Sequence, residues 1–272
     1  MYDWSVDASA GSMITGLSDL SAPGNSGRET TLTRPHWQPG EVIEVIDQTP
    51  DAVTLRLRLP EPTEFLPGQY YNVRLAAAGR TRPVQRSYSV SSSPFPDASV
   101  IDLGIREIPD GLVSPRLVRG LSSGDRVDVR GPAGRFTWTE ADGGPLLLVG
   151  AGSGVVPLVS IVRYAAASAL TIPMRLVCSS VNFESALYRE DLARLADSCG
   201  WLEVVQSFTR DPDDLRAGHH RRVDRAMLAE ALDGQFPRWV YLCGPPLMVE
   251  ATGNWLVDLG VDPGAIRCEK YD

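Results

Sequence analysis

From about residue 34 to Trp138, hydrophobic and polar positions alternate. The run Val53-Thr54-Leu55-Arg56-Leu57-Arg58-Leu59 puts its leucines on one face and its arginines on the other, the signature of a half-buried antiparallel strand. Similar runs at Glu41–Ile46, Tyr70–Leu75, Arg86–Ser91, Val100–Arg106 and Arg126–Arg130 are separated by turn residues such as Leu66-Pro67-Gly68 and Ser123-Gly124-Asp125. Short strands at this spacing predict a six-stranded antiparallel β-barrel.

After Asp142-Gly143-Gly144 the period changes. Continuous apolar runs at Leu146–Val149, Met174–Ser179, Leu202–Ser207, Trp239–Cys243 and Ile266–Glu269 read as buried parallel strands. Helical spacing fills the stretches Val156–Ala167, Ala186–Ser198, Arg222–Leu232 and Leu247–Leu259 between them. This half is expected to be an α/β doubly wound parallel sheet. Residues 1–33 are rich in Ser, Gly and Thr without a sustained period and are expected to form a flexible leader. The domains expected are therefore 1–33, 34–142 and 143–272.

Composition narrows the function classes. With 272 residues, 43% hydrophobic and 22% charged, the chain suits two globular domains. Its 26 basic against 34 acidic residues give a net charge of -8, which disfavours a nucleic-acid binder. Cys178, Cys199, Cys243 and Cys268 stand far apart, without zinc or iron–sulfur spacing, so no metal is expected. Neither a secretory signal nor a transmembrane run is visible, and a cytoplasmic location is expected.

Candidate chemistry lies in an ordered series. Arg86-Ser87-Tyr88-Ser89 offers a cation, an aromatic face and small hydroxyls on one strand, groups suited to an anionic, flat, redox-active ligand. Alternation places Arg86 and Tyr88 on one face and Ser89 on the other. Gly111-Leu112-Val113-Ser114 precedes a short helical segment, where backbone N–H groups are free to receive a phosphate. As a tetrapeptide it equally describes an ordinary turn and cap. Gly150-Ala151-Gly152-Ser153-Gly154-Val155-Val156-Pro157 follows the first parallel strand and opens a helix, with Pro157 where a third glycine is usual. Cys243-Gly244-Pro245-Pro246 ends another parallel strand at the ligand-binding edge of such sheets, although a cysteine there is as readily a small buried hydrophobe.

In this order, and with Gly131–Phe136 and the ending Ile266–Tyr271, these segments resemble the ferredoxin–NADP reductase superfamily over about Arg34–Tyr271. The resemblance implies an FAD-binding barrel joined to an NAD(P)H-binding domain. It implies that Arg86, Ser87, Tyr88 and Ser89 cradle the flavin, that Ile105 and Arg106 line its ribityl chain, and that Gly111, Leu112, Val113 and Ser114 hold its pyrophosphate. Gly150, Gly152, Ser153 and Gly154 would hold the nicotinamide dinucleotide, and Cys243, Gly244 and Pro245 would bring the nicotinamide over the flavin. Ser89, Cys243, Glu269 and Tyr271 would surround the reactive ring. Relatives often carry an arginine in the stretch written here as Ser179-Ser180-Val181-Asn182; with Val181 in its place, Arg210, Arg221 or Arg222 contacts the adenosine end, or NADH is preferred.

The implied activity is passage of hydride from NAD(P)H to FAD and then of electrons to a separate acceptor protein, a ferredoxin, an oxygenase or another redox partner, since no C-x₄-C-x₂-C cluster segment is present. Arg74, Arg80 and Arg82 are candidate docking residues for an acidic partner. Two alternatives stand beside it: a free flavin reductase or tailoring flavoenzyme acting on a small molecule, and a flavin-binding module without productive nicotinamide chemistry. A monomer or weak oligomer is expected, without nucleic acid or membrane insertion.

Overall fold

A computed structural model describes residues 35–76, 79 and 81–271. The expected leader 1–33, the start at Arg34 and Arg80 lie outside the described residues. The first half contains β1 (Gln38–Thr49), β2 (Ala52–Arg58), β3 (Tyr70–Leu75), β4 (Val84–Ser89), β5 (Val100–Arg106), the short helix α1 (Ser114–Arg119) and β6 (Arg126–Ala133). The strands form one antiparallel sheet in the order β4-β3-β6-β1-β2-β5. Val53, Leu55 and Leu57 of β2 turn inward with Val73, Ile101 and Leu103, which is the burial that the alternating leucines predict. Thr54, on the other face, is also buried because Tyr188 of the second half covers it.

The expected strand Arg86–Ser91 is instead Val84–Ser89. At Val90 the chain leaves β3 and bridges to Leu103, and the Ser91 N–H donates to the Asp102 carbonyl at 2.8 Å. This link between β4 and β5 closes the barrel at one end. Along Val84–Ser89 the outer edge of β4 has no strand partner among the described residues.

The second half runs β7 (Leu146–Ala151), α2 (Val155–Ala167), β8 (Met174–Ser180), α3 (Arg189–Ser198), β9 (Leu202–Phe208), α4 (Arg225–Leu232), β10 (Trp239–Gly244), α5 (Pro246–Asp258) and β11 (Ile266–Lys270). Its parallel sheet has the order β11-β10-β7-β8-β9. Leu146 and Leu148 pack with α2 and α3, whereas Leu147 and Val149 pack with α4 and α5. Burial on both faces is why this strand reads as an unbroken apolar run.

Two helices begin later than their spacing predicts. Tyr188 is left-handed at φ 56°, so α3 starts at Arg189, and the Asp224 side chain accepts the Met227 N–H, so α4 starts at Arg225. The two halves meet closely. A Cβ on Gly104 of β5 would lie 2.6 Å from Val156 Cγ1 and 2.7 Å from Tyr188 Oη, so only glycine allows this approach. Tyr241 Oη also donates across the junction to the Thr137 carbonyl at 2.7 Å.

Candidate functional site

The strand order reverses at β7: the chain moves outward through β8 and β9, then returns to lay β10 on the other side. Ligands of open α/β sheets bind beyond the carboxyl ends of the strands at such a switch point. Here those ends carry the glycine turn Gly150–Gly154 and the segment Cys243–Pro245. Both need glycine. A Cβ on Gly154 would stand 2.2 Å from the Cys243 carbonyl oxygen. Gly244 has φ +149°, and its Cβ would approach Met248 Cε at 2.8 Å. The two turns are thereby pressed together at the sheet edge.

Beside this edge lies the end of β4. Ser89 Oγ and Tyr271 Oη are 2.5 Å apart, and Tyr271 Oη donates to Glu269 at 3.0 Å. Cys243 joins the same cluster from beneath. Burial, and then Glu269, raise its thiol above the ordinary range. Burial also raises Glu269. Tyr271 is raised well above its ordinary range, first by burial and then by Cys243 and Glu269. The four residues expected around the reactive ring are thus brought together. Cys243 is 0% exposed in this cluster, and its small side chain keeps its proton.

On β4, Tyr88 is half-buried and its hydroxyl is pushed up to about 12 by burial. Arg86 is exposed, donates only to the Gln85 carbonyl and has no acidic partner among the described residues. Ser87 is exposed and donates to Asn72 at 3.1 Å. Ser89 is buried at the junction, whereas Ser87, on the same face by alternation, is exposed. Farther along, the Ser114 hydroxyl accepts the Ile108 N–H at 2.9 Å, whereas the N–H groups of Leu112, Val113 and Ser114 meet no protein acceptor among the described residues. Unpaired amides together with an unpaired cation fit the two-phosphate portion of FAD, and the unpartnered edge beside Tyr88 fits a flat ring.

Other expected positions are placed differently. Ile105 is 2% exposed in the barrel core and has only its backbone to offer. The Arg106 guanidinium donates to the Ser185 carbonyl at 2.8 Å and pairs with Asp51 at 3.3 Å. It therefore ties the domains together beside Gly152 instead of standing free to line a ligand. Arg221 pairs with Asp224 at 2.6 Å and Glu230 at 3.5 Å, which occupies it on its own surface. Arg210 and Arg222 are exposed, and the Arg210 N–H donates to the Val181 carbonyl, next to the end of β8.

Sequence reasoning missed the junction beneath the site, where Ser160 and Arg163 of α2 hold the Ser92 and Ser91 carbonyls. A serine and an arginine within an apolar helix are the only signal for it.

Comparison with known proteins agrees with this geometry. Residues 39–138 match the oxidoreductase FAD-binding domain and residues 148–254 the oxidoreductase NAD-binding domain. A naphthalene 1,2-dioxygenase/salicylate 5-hydroxylase ferredoxin–NAD(P)(+) reductase component from Ralstonia is 33% identical over 85% of this chain and 68% of its own length. The aromatic O-demethylase reductase subunit of Amycolatopsis is also 33% identical, with the same coverage. Among solved structures, an Amycolatopsis cytochrome P450 reductase superposes with a TM-score of 0.75 at 28% identity, over 87% of this chain and 70% of that one. No helix of the described residues is long and apolar enough to cross a membrane. With both domain models matched in order on an antiparallel β-barrel joined at one end and a switch-point sheet, the chain belongs to the FAD- and NAD-binding oxidoreductases of the ferredoxin–NADP reductase superfamily, as an NAD(P)H-dependent flavoprotein.

Proposed function

We propose that this chain is the reductase component of a multi-protein redox system, drawing electrons from NAD(P)H and delivering them to a separate protein, a ferredoxin or an oxygenase. FAD, when bound, accepts electrons as a pair from reduced nicotinamide and releases them singly. The protein's part is binding, alignment and exclusion of water. Arg86 neutralises pyrophosphate charge, Leu112–Ser114 supply amide donors, and Tyr88 presents its ring to the flavin. Gly152–Gly154 admit the nicotinamide dinucleotide closely, and Cys243–Pro245 shape the floor beneath its ring. Ser89 and Glu269 hold the Tyr271 hydroxyl in one orientation at the crevice.

The observation that carries this reading is the Ser89–Tyr271 contact, which joins the end of the barrel strand to the carboxyl edge of the parallel sheet. It supports a reading in which the two cofactor regions lie against one another. We take 34–142 as the flavin unit and 143–272 as the nucleotide unit. A reducing, cytoplasmic setting is supported by four cysteines that are all free.

The acceptor is assigned from the relatives, whose names describe reductase components and subunits of oxygenase and demethylase systems. Arg74 and Arg130 stack on Trp37 at 4.4 and 4.8 Å from its ring centre; Arg74 is also paired with Asp128 at 3.0 Å, so Arg130 beside the indole supplies the charge of this surface that suits an acidic partner. Arg130 was not visible as part of this surface in the sequence. The test is to mix the FAD-loaded protein with NADH or NADPH and follow the flavin band, then add a ferredoxin. Bleaching followed by reoxidation that depends on the ferredoxin is expected. Bleaching that only a small molecule relieves would favour the free flavin reductase reading.

A further inference from the structure

A groove of about 350 Å³ runs between the barrel strands β1, β2 and β5 and the start of α3. Its walls form a chain of alternating charges. Arg56 grips Asp102 at 2.8 and 3.0 Å; Asp102 lies 4.0 Å from Arg163; Arg163 pairs with Asp191 at 2.7 Å. The charges satisfy one another, so the groove is no site for a free anion.

Arg163 does more than balance charge. Its guanidinium donates to Asp191 through Nε at 2.8 Å and to the Ser91 carbonyl through Nη1 at 3.0 Å, and it lies over the Tyr188 ring at 5.1 Å. One helical turn earlier, Ser160 donates to the Ser92 carbonyl at 2.7 Å. Ser91 and Ser92 directly follow Ser89 and the Val90 bridge. The same helix begins directly after Gly154, whose turn presses on the Cys243 carbonyl. A rigid rod with a rise of 1.5 Å per residue thus carries the glycine turn at its head and, about 14 Å along, a fork gripping the chain two residues beyond Ser89.

We propose that Arg163 is a positioning residue, one that fixes the end of the flavin strand at Ser89 relative to the glycine turn at the head of α2. Its guanidinium is taken up by protein groups, Asp191, the Ser91 carbonyl and the Tyr188 ring. It acts because its planar fork spans the Ser91 carbonyl and the Asp191 carboxylate together, a geometry that a single ammonium does not reproduce. The inference rests on the reading of Ser89 and Gly152–Gly154 as the groups facing the two cofactors, but half of its test does not.

The test compares Arg163→Lys with wild type. Lysine keeps the charge opposite Asp191 and Asp102, so folding is retained, and Arg194→Met serves as a control on the same groove, since Arg194 meets Asp191 at 3.2 Å from an exposed position. In flavin-free protein, amide exchange at residues 89–92 is expected to quicken in Arg163→Lys while β8 and β9 stay protected. In FAD-loaded protein, the limiting rate of flavin bleaching by reduced nicotinamide is expected to fall about tenfold or more, because a displacement on the order of 1 Å between reacting groups costs up to about a hundredfold. FAD content, nicotinamide KM and the Arg194→Met rate stay within about twofold of wild type. Unchanged exchange at 89–92 overturns the proposal, as does a wild-type limiting rate in Arg163→Lys or a loss carried by KM. A wild-type protein that reduced nicotinamide does not bleach would overturn the assignment of the site instead, and the exchange result would still decide the role of Arg163.

Discussion

Ser89 and Tyr271 share a hydrogen bond of 2.5 Å although 182 residues separate them. The Tyr271 hydroxyl also donates to Glu269. Tyr271→Phe keeps the ring and removes both bonds, at a cost of about 1–3 kcal/mol at roughly 1 kcal/mol per net hydrogen bond. Urea unfolding of the flavin-free protein reads this directly, and an unchanged midpoint would show the pair to be dispensable.

Arg86 stands exposed without an acidic partner among the described residues. Arg86→Ala is therefore expected to leave the melting temperature of the flavin-free protein unaltered. FAD affinity should fall about tenfold or more, since a charge-assisted contact to phosphate contributes about 1.5–3 kcal/mol. Equilibrium titration with FAD, followed by flavin fluorescence, supplies the comparison.

Gly154→Ala puts a methyl group 2.2 Å from the Cys243 carbonyl oxygen, which is backbone and has little room to give. The glycine turn must shift away from β10. Nicotinamide-dependent bleaching is expected to slow at least about tenfold, the scale of a 1.4 kcal/mol loss of alignment, while FAD stays bound in the barrel. Equal loss of both functions would show that the damage is general unfolding.

Burial raises Glu269 above the ordinary carboxylate range, so the folded protein binds its proton more tightly than the unfolded chain does. Its contribution to stability is then full below the ordinary carboxylate pKa and declines as pH rises toward the raised value. Glu269→Gln carries no such dependence. The variant should gain in melting temperature relative to wild type as pH is raised from about 4 to 7, in line with that linkage. A gain that is the same at every pH would exclude titration as the cause.

The thiols offer another check. Burial raises the thiols of Cys178, Cys243 and Cys268, Cys178 to about 12, but only Cys268 of the three is exposed, and access to reagent decides between them. A disulfide reagent applied to the native, flavin-free protein is expected to label Cys268 and to spare Cys178 and Cys243 until denaturant is added. Rapid labelling of Cys243 would mean that Tyr271 leaves the cluster readily.

The parts legible from sequence are those written in short range. The leucines of β2 and the unbroken run of β7 announce their burial by spacing alone, and the glycine turn and Cys243–Pro245 announce strand ends. Ser89, Cys243, Glu269 and Tyr271 were nameable only because their segments stand in a familiar order, since no local pattern says that residue 89 meets residue 271. The late starts of α3 and α4 depend on the left-handed Tyr188 and the Asp224 cap, which compete with helical spacing. Arg106 and Arg163 were unreadable for a different reason. An arginine that bonds a distant carbonyl looks in sequence like one that is solvated, and this chain has many arginines.

The edge of β4, which has no strand partner among the described residues, has a consequence for the protein before it acquires its cofactor. A strand with free N–H and C=O groups along one side is a template for pairing with another chain. Gln85, Arg86 and Ser87 are exposed on this strand, and the positive charge at its centre repels a second copy brought alongside in antiparallel register. Arg86 would thus serve the newly made chain as a guard against self-association.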